Sequence, residues 1–400
     1  VTDTSTRCCV VGGGPAGMML GLLLARQGIE VTVLEKHADF LRDFRGDTVH
    51  PSTLELIAEL GWIEEFLTLP HTEMREVTVS MGGRAVTFAD FSRLKVRCPY
   101  IAFMPQWDVL DFLARKAAAY PGFRLLRDTE MTGLLLEDGR VAGVRAHTPA
   151  GPLEVRADLV VAADGRHSTT RVAAGLEPAA GSPPMDVLWF RLPRHHGDEV
   201  PFFQGGHGTL ISIDRGDYWQ LAYTIPTAAY PELRQAGLAA FHDRIARLAP
   251  DLSDRVALID DWRHLHQLTV RVDRLKTWHR PGLLFIGDAA HAMSPAGGVG
   301  INLAVQDAVA TANLLGPVLG TRRPDERDLA RVQARREQPT RITQAFQLGI
   351  LRDLYPKDLA DDTAEHVPPI FTAFRALPPL RHVMGRFIGL GVRQEHITRT

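Results

Sequence analysis

RCCVVGGGPAGMMLGLLLARQGIEVTVLE, residues 7–35, is the stretch from which the rest of the chain is read. Cys8–Val11 is a short apolar run of the kind a buried strand needs. Gly12, Gly14 and Gly17 follow at G-x-G-x-x-G spacing. Met18–Arg26 carries an apolar helical face, Gly28 closes it, and Ile29–Leu34 forms a second strand that ends on Glu35. Each part has a physical job. Gly12 allows a tight turn, Gly14 lets a pyrophosphate approach the backbone where a helix N-terminus favours negative charge, and Gly17 permits close helix–strand packing. Glu35 can accept hydrogen bonds from both ribose hydroxyls of an adenosine, and its charge disfavours a 2′-phosphate, so FAD or NAD fits better than NADP here. A lone G-x-G-x-x-G is a weak signal. Strand, helix, second strand and acid in one register make it a dinucleotide site.

Working outward, two more stretches place an acid at the end of a buried strand. Leu159–Ala163 is followed by DGRHSTTR, residues 164–171, with Ser168 well placed as a helix N-cap. Leu283–Ile286 runs into GDAAHAMSPAGGVGIN, residues 287–302. There Asp288 sits at the strand end, Pro295, Gly297, Gly298 and Gly300 keep a loop thin, and an apolar helical pattern runs on from Ile301. Open α/β sheets bind ligands at the carboxyl ends of their strands, so Asp164 and Asp288 are candidate ligand contacts. Gln106, at the start of a helix over 107–120, either bonds a ligand or caps the helix. Arg45 lies in the loop before the helix that Pro51 opens, and reads either as a solvated arginine or as a phosphate contact.

Elsewhere the pattern changes. Residues 76–91 alternate around Gly82-Gly83 as a hairpin, and 123–163 read as successive strands. After Pro183-Pro184, strands over 187–192, 208–214, 218–225 and 264–270 suggest a mostly antiparallel sheet able to cover a pocket. Its aromatic residues belong mainly to a core, with one or two of them lining a cavity. Residues 324–348 form a charged helix whose Arg335-Arg336-Glu337 is expected on a solvated face. A Pro-rich acidic stretch over 356–379 and a helical piece over 380–390 follow, as a pocket cap or a dimer contact.

Composition narrows the function. The 400 residues suffice for a substantial core, and a net charge of −2 argues against a nucleic-acid or polybasic membrane role. Three Cys without paired spacing point to a reducing, cytoplasmic setting. His195-His196 and His264/His266 lack a completing ligand set, so no metal is expected. No run is long enough to span a bilayer.

GGGPAG with Glu35, DGRHSTTR and GDAAHAMSPAGGVGIN, in that order, closely resemble the single-component (class A) FAD-dependent aromatic hydroxylases, the para-hydroxybenzoate hydroxylase-like flavoprotein monooxygenases, over the chain to about residue 350. The resemblance implies an α/β fold, with a Rossmann-like FAD-binding domain (1–75, 98–180 and 271–335) interleaved with a mostly antiparallel β-sheet substrate domain (76–97 and 181–270), and a C-terminal helical segment (336–400). It implies that Gly12, Gly14, Gly17 and Glu35 hold the ADP half of FAD, with Pro15, Ala16 and Lys36 beside them. Arg45 would lie near the pyrophosphate, Gln106 and Asp288 at the ribityl side, and Asp164 would support FAD and a transient NAD(P)H. Pro295, Gly298, Val299, Gly300, Ile301 and Asn302 would line the flavin ring. His291 would order the loop. The implied reaction uses NAD(P)H and O₂ to hydroxylate a phenolic or polyketide-like aromatic molecule through a flavin C4a-hydroperoxide. No catalytic base stands out, and Arg191, Tyr218, Tyr223 and Pro295 are candidate substrate contacts. A monomer or homodimer is expected. The alternatives are a flavin dehydrogenase or reductase without productive oxygen transfer, and a non-catalytic flavin-binding redox module.

Overall fold

The computed structural model describes residues 2–41, 48–81, 84–181, 185–198, 200–206, 208–354, 373–374 and 376–398. Arg42, Arg45, Gly82-Gly83, Pro183-Pro184 and residues 356–372 lie outside the described residues.

Among the described residues, the first sheet has eight strands: five are parallel, in the spatial order Phe123–Leu126, Val31–Leu34, Thr2–Val11, Gly151–Ala162, Leu283–Phe285, and three pair antiparallel, His279–Arg280 on Leu283–Phe285, and Arg140–Thr148 on Gly151–Ala162 with Glu130–Glu137 beyond it. The first strand is longer than its apolar run predicts, because Thr2–Thr6 pair with Leu153–Ala157 although they alternate with solvent. Register decides where function can lie. Val11 is paired with Leu34 on one side and Ala162 on the other, and Ala162 with Phe285. All four strands therefore end level, and the segments that leave them (Gly12, Glu35, Ala163-Asp164 and Ile286–Asp288) emerge together at one carboxyl edge. Three motifs far apart in sequence become neighbours for this reason.

The first helix, Pro15–Arg26, is apolar on every side and almost wholly buried, wedged between this sheet and the helix Gly300–Leu319. Fully burying a leucine-sized side chain stabilises by ~1.5–3 kcal/mol, so Leu20, Leu22, Leu23 and Leu24 pin the helix in place. Gly17 lets it come this close: a Cβ there would fall on the Gly12 carbonyl. Cys8 and Cys9 are fully buried in the adjoining strand, and burial pushes the Cys9 thiol up to about 12, so both serve as packing.

The second sheet runs, in spatial order, His266–Thr269, Met185–Pro193, Tyr218–Pro226, Gly208–Asp214, Phe203–Gly206, Glu76–Met81, Arg84–Asp90. It is antiparallel except where Phe203–Gly205 pair parallel with Val79–Met81, which splices the early hairpin onto the later sheet. The strand Phe203–Gly206 was not predicted; its Gly-rich sequence carries little strand signal. One face packs Phe190, Leu221 and Tyr223 against the helix Leu238–Leu248, and the other turns toward the parallel sheet.

The charged C-terminal pattern folds as one helix, Glu326–Leu354, so a boundary at 335/336 cuts through a continuous element. Arg336 is not on a solvated face: it is 1% exposed and bonded to Asp307 and Glu395. A last helix, Pro379–Leu390, lies across the strand Arg84–Asp90, with Gly385 against the Asp90 backbone. Among the described residues, no helix is long and apolar enough to cross a membrane.

Candidate active site

The carboxyl edge of the parallel sheet and the inner face of the second sheet enclose a cavity of ≈ 710 Å³, within the ~300–1,000 Å³ usual for small-molecule sites. Its two ends differ in chemistry.

One end is polar. It is lined by Gly12–Ala16, Glu35, Lys36, Gln106, Asp164, Arg166 and Asp288. The glycine turn runs into the first helix with no side-chain cap, and a Cβ on Gly14 would meet nothing within 4 Å. The helix thus presents bare N–H groups to the cavity, and these favour an anion. Glu35 is held in place by Gly13 N, which donates to Oε2 at 3.0 Å, and by His37 N, which donates to Oε1 at 3.0 Å. Arg166 Nη2 lies 3.4 Å from Asp288 Oδ2, while its Nη1 is buried with no hydrogen-bond partner among the described residues. An unsatisfied buried donor costs ~1–3 kcal/mol, so this atom marks where a ligand acceptor belongs.

Asp164 differs from expectation in one respect. It lines the cavity, but its carboxylate serves its own turn: Ser168 Oγ donates to Oδ1 at 2.6 Å, and Thr170 N and Oγ1 donate to Oδ2 at 2.9 and 2.8 Å. Ser168 in turn caps the helix Thr169–Ala173 by accepting from Arg171 N. Arg171 is buried against Asp273 at 3.2 Å and bonds the Arg166 carbonyl at 2.6 Å, which positions Arg166.

The floor is the loop Met293–Ile301. Pro295, Gly298, Val299, Gly300 and Ile301 line the cavity, and Gly17 and Asn302 do not. Asn302 works from behind. Its Oδ1 accepts from His50 N at 2.9 Å and Thr53 Oγ1 at 2.7 Å, and its Nδ2 donates to the Gly298 carbonyl at 3.3 Å. The Gly298 carbonyl also accepts from Thr48 Oγ1 at 2.8 Å. A second brace comes from the long helix, where Gln347 Nε2 donates to the carbonyls of Ser294 and Ala296 at 2.9 and 2.7 Å. Gln344 Nε2 does the same for Asp273 and Ala292 at 2.9 and 3.0 Å.

His291 points inward, as a loop-ordering residue would. It is buried, and its Nε2 lies 2.6 Å from Asp307 Oδ2. Gly287 N donates to the same oxygen at 3.0 Å, and Arg336 Nε donates to Oδ1 at 2.9 Å. Burial pushes the Asp307 carboxyl up, but His291 and Arg336 beside it hold it below the usual carboxylate range.

The other end is apolar and aromatic. Met185, Val187 and Trp189 face it from one strand, and Ile211, Ile213, Ala222 and Thr224 from the next two. Phe103 packs on Phe202 with ring centroids 5.8 Å apart. Phe346 meets Phe387 edge-on at 4.6 Å and 63°. These last two come from the long and last helices, so the C-terminal segment closes the cavity wall. The candidate substrate contacts fare unequally. Tyr223 alternates onto the opposite face of its strand and is buried against Phe241. Arg191 and Tyr218 share the cavity side of the sheet but lie past its end, stacked on each other at 5.0 Å. None of the three lines the cavity; Pro295 does. Among Trp189, Phe190, Tyr218, Trp219 and Tyr223 on the strands of this sheet, Trp189 lines the cavity. Sequence reading missed Arg166, although it stands inside DGRHSTTR, and also Gln347, Phe346 and Phe387.

The polar end fits an FAD diphosphate and ribose, through the bare turn, the adjacent carboxylate and the unpartnered guanidinium N–H. The glycine-lined floor leaves room for a flat ring. Among the described residues, no group of three His, Cys, Asp or Glu side chains could hold a metal ion.

Residues 5–345 match the family model described as FAD binding domain. The chain is 37% identical over 338 residues to a 6-methylpretetramide 4-monooxygenase of Streptomyces rimosus, covering 84% of this chain and 81% of that protein. It is 30% identical over 335 residues to the 12-dehydrotetracycline 5-monooxygenase/anhydrotetracycline 6-monooxygenase of the same species, covering 79% of this chain but only 64% of that relative's length. Among solved structures, the anhydrotetracycline hydroxylase OxyS of Streptomyces rimosus superposes with a TM-score of 0.77 at 23% identity, over 99% of this chain and 78% of the other.

Proposed function

The chain belongs to the FAD binding domain family as an FAD-dependent monooxygenase, and from that premise we propose that it hydroxylates a fused-ring, polyketide-like phenol at the aromatic end of the cavity, using NAD(P)H and O₂. One observation carries the proposal: a single cavity of ≈ 710 Å³ joins a bare glycine turn at a helix N-terminus to an apolar, aromatic-lined end. The named activities of the relatives point the same way.

When bound, FAD supplies electron transfer from NAD(P)H and oxygen-atom transfer from O₂. The protein's part is to bind, orient and keep water out. Gly14 and Ala16 take the diphosphate on backbone N–H groups, Gly12 makes the tight turn with its own N–H on the Leu34 carbonyl, Pro15 opens the helix without a donor, and Gly17 lets helix and strand pack closely. Glu35, with Lys36 at the rim, takes the ribose. Arg166 Nη1 donates to a phosphate or ribityl oxygen, with Asp288 holding the guanidinium. Gln106 meets the ribityl region. The loop Pro295–Ile301 is the floor under the ring, and the N-terminus of the helix Gly300–Leu319 favours negative charge in whatever lies against it. Asp164 and Asn302 act indirectly, by shaping the two loops. The apolar walls exclude water that would divert oxygen to peroxide. The sheet pairings support the division into an FAD-binding domain and a substrate sheet, with the C-terminal helices closing both. Three buried, unpaired cysteines support a cytoplasmic setting.

The test supplies NADH or NADPH, O₂ and a panel of polyketide phenols, and follows flavin release and product mass. The expected product carries one added oxygen atom. Substrate-stimulated NAD(P)H oxidation that yields only peroxide across the panel would overturn the proposal.

A further inference from the structure

Behind the turn that presents Asp288 lies a charge network that the proposed reaction does not use. Asp307 holds Gly287 N, His291 and Arg336, as described above. Arg336 continues outward: its Nη1 lies 3.3 Å from Glu395 Oε1 and 3.1 Å from the Arg393 carbonyl. Glu395 also takes Arg335, through Nε at 2.7 Å and Nη2 at 3.0 Å. Its own N–H donates to Gln306 on the helix Gly300–Leu319. Asp307, Arg336 and Glu395 are 0, 1 and 3% exposed. None of these groups lines the cavity.

Charge balance gives the arrangement its meaning. Two guanidinium groups face two carboxylates. Without Glu395, the buried Arg336 would keep Asp307, while Arg335, 35% exposed, would lose the carboxylate it now pairs with and add one net positive charge at the edge of the network. That added charge would bear on the Asp307–Arg336 pair, whose Asp307 holds the backbone of Gly287, one residue before Asp288.

We propose that Glu395 is a positioning residue for FAD. By neutralising Arg335 it leaves Arg336 to Asp307, Arg336 fixes Asp307, and Asp307 fixes the Gly287–His291 turn so that Asp288 meets Arg166 at the polar end of the cavity. The inference rests on reading that end as the FAD site. The tail has a separate anchor at the surface, where Glu59 accepts from Ile397 N at 2.8 Å and pairs with His396. That anchor supplies a control that loosens the tail without unbalancing the buried charges.

The experiment uses the whole chain as wild type, Glu395→Gln, Glu59→Gln and the double variant Arg335→Gln/Glu395→Gln. It reads the FAD dissociation constant and the flavin midpoint potential. Glu395→Gln should weaken FAD binding about tenfold, the equivalent of ~1.4 kcal/mol. It should also move the potential positive, because one added net positive charge behind the Asp288 turn favours the electron-rich reduced flavin. Glu59→Gln should leave both at wild-type values, and adding Arg335→Gln to Glu395→Gln should restore both. Unchanged affinity and potential in Glu395→Gln would overturn the inference, as would Glu59→Gln reproducing its effects or the double variant failing to restore them. If Glu395→Gln alone does not fold, the double variant decides by the same two readouts. A wild type that binds no FAD would instead sink the reading of the cavity, so the two failures are distinguishable.

Discussion

Gly298 meets two demands at once. Its φ of 62° is a conformation that side-chain-bearing residues rarely adopt, and a Cβ there would land on the Thr48 hydroxyl. A residue forced into that region costs ~1–3 kcal/mol, and the displaced Thr48 would release the loop carbonyl it holds. Gly298→Val is therefore expected to lose FAD while keeping the fold, measured as flavin retained on purification against an unchanged far-ultraviolet circular dichroism spectrum. Normal flavin content in that variant would remove the loop from the site.

His50 makes a second prediction at the same scale. Its Nδ1 lies 2.8 Å from the Ile388 carbonyl, which ties the start of one helix to the end of the last. Burial pushes the ring down to about 4 from 6.5, opposed by that backbone bond. Below pH 6.5 the unfolded chain takes up a proton that the native ring refuses, so stability falls with pH from 6.5 to about 4 and then levels off. The loss is roughly 3 kcal/mol at most. In urea titrations, His50→Gln should flatten that acid limb and run parallel to wild type above pH 6.5. Parallel curves all the way down to pH 4 would count against it.

At the scale of elements, the long helix Glu326–Leu354 does more than its sequence suggests. One of its faces brings Thr343, Phe346, Gln347 and Ile350 to the cavity. Gln347→Ala should free the Ser294 and Ala296 carbonyls, at ~1–3 kcal/mol for buried groups left unmet. It should raise the FAD dissociation constant and increase peroxide formed per NAD(P)H consumed; a coupling ratio equal to wild type would make Gln347 dispensable. The same helix shows what was legible in the sequence and what was not. The glycine turn, Glu35 and the Asp288 strand end could be read because local periodicity and spacing specify them. Arg336, Gln344 and Gln347 could not. A charged or amide side chain looks solvated until its partners are known, and those partners lie on loops and a tail brought close only by tertiary packing. The candidate contacts went astray for a related reason: strand alternation placed Tyr223 on the wrong face, and strand length carried Arg191 and Tyr218 past the pocket.

For the whole molecule, Arg336 is the point where the helix Gly300–Leu319, the long helix and the tail meet. Removing one partner from a buried charge pair costs ~3–5 kcal/mol. Arg336→Met should therefore lower the urea midpoint sharply. Arg263→Ala, at a guanidinium 88% exposed beside Asp261, should not shift it measurably. If both variants unfold at the wild-type midpoint, the network does not contribute to cohesion.

The pairing of the first strand also sets a schedule for the making of the protein. Thr2 meets Leu153 and Val11 meets Ala162, partners that leave the ribosome about 150 residues later. At ~5–20 residues per second, the opening strand waits roughly 8–30 s with one edge unsatisfied. The cavity's last wall, Phe387 and Ile388, arrives later still. FAD can be enclosed only once almost all of this chain has been synthesised, so capture of the cofactor is a late event, and ribosome-bound chains stopped short of residue 387 should emerge colourless.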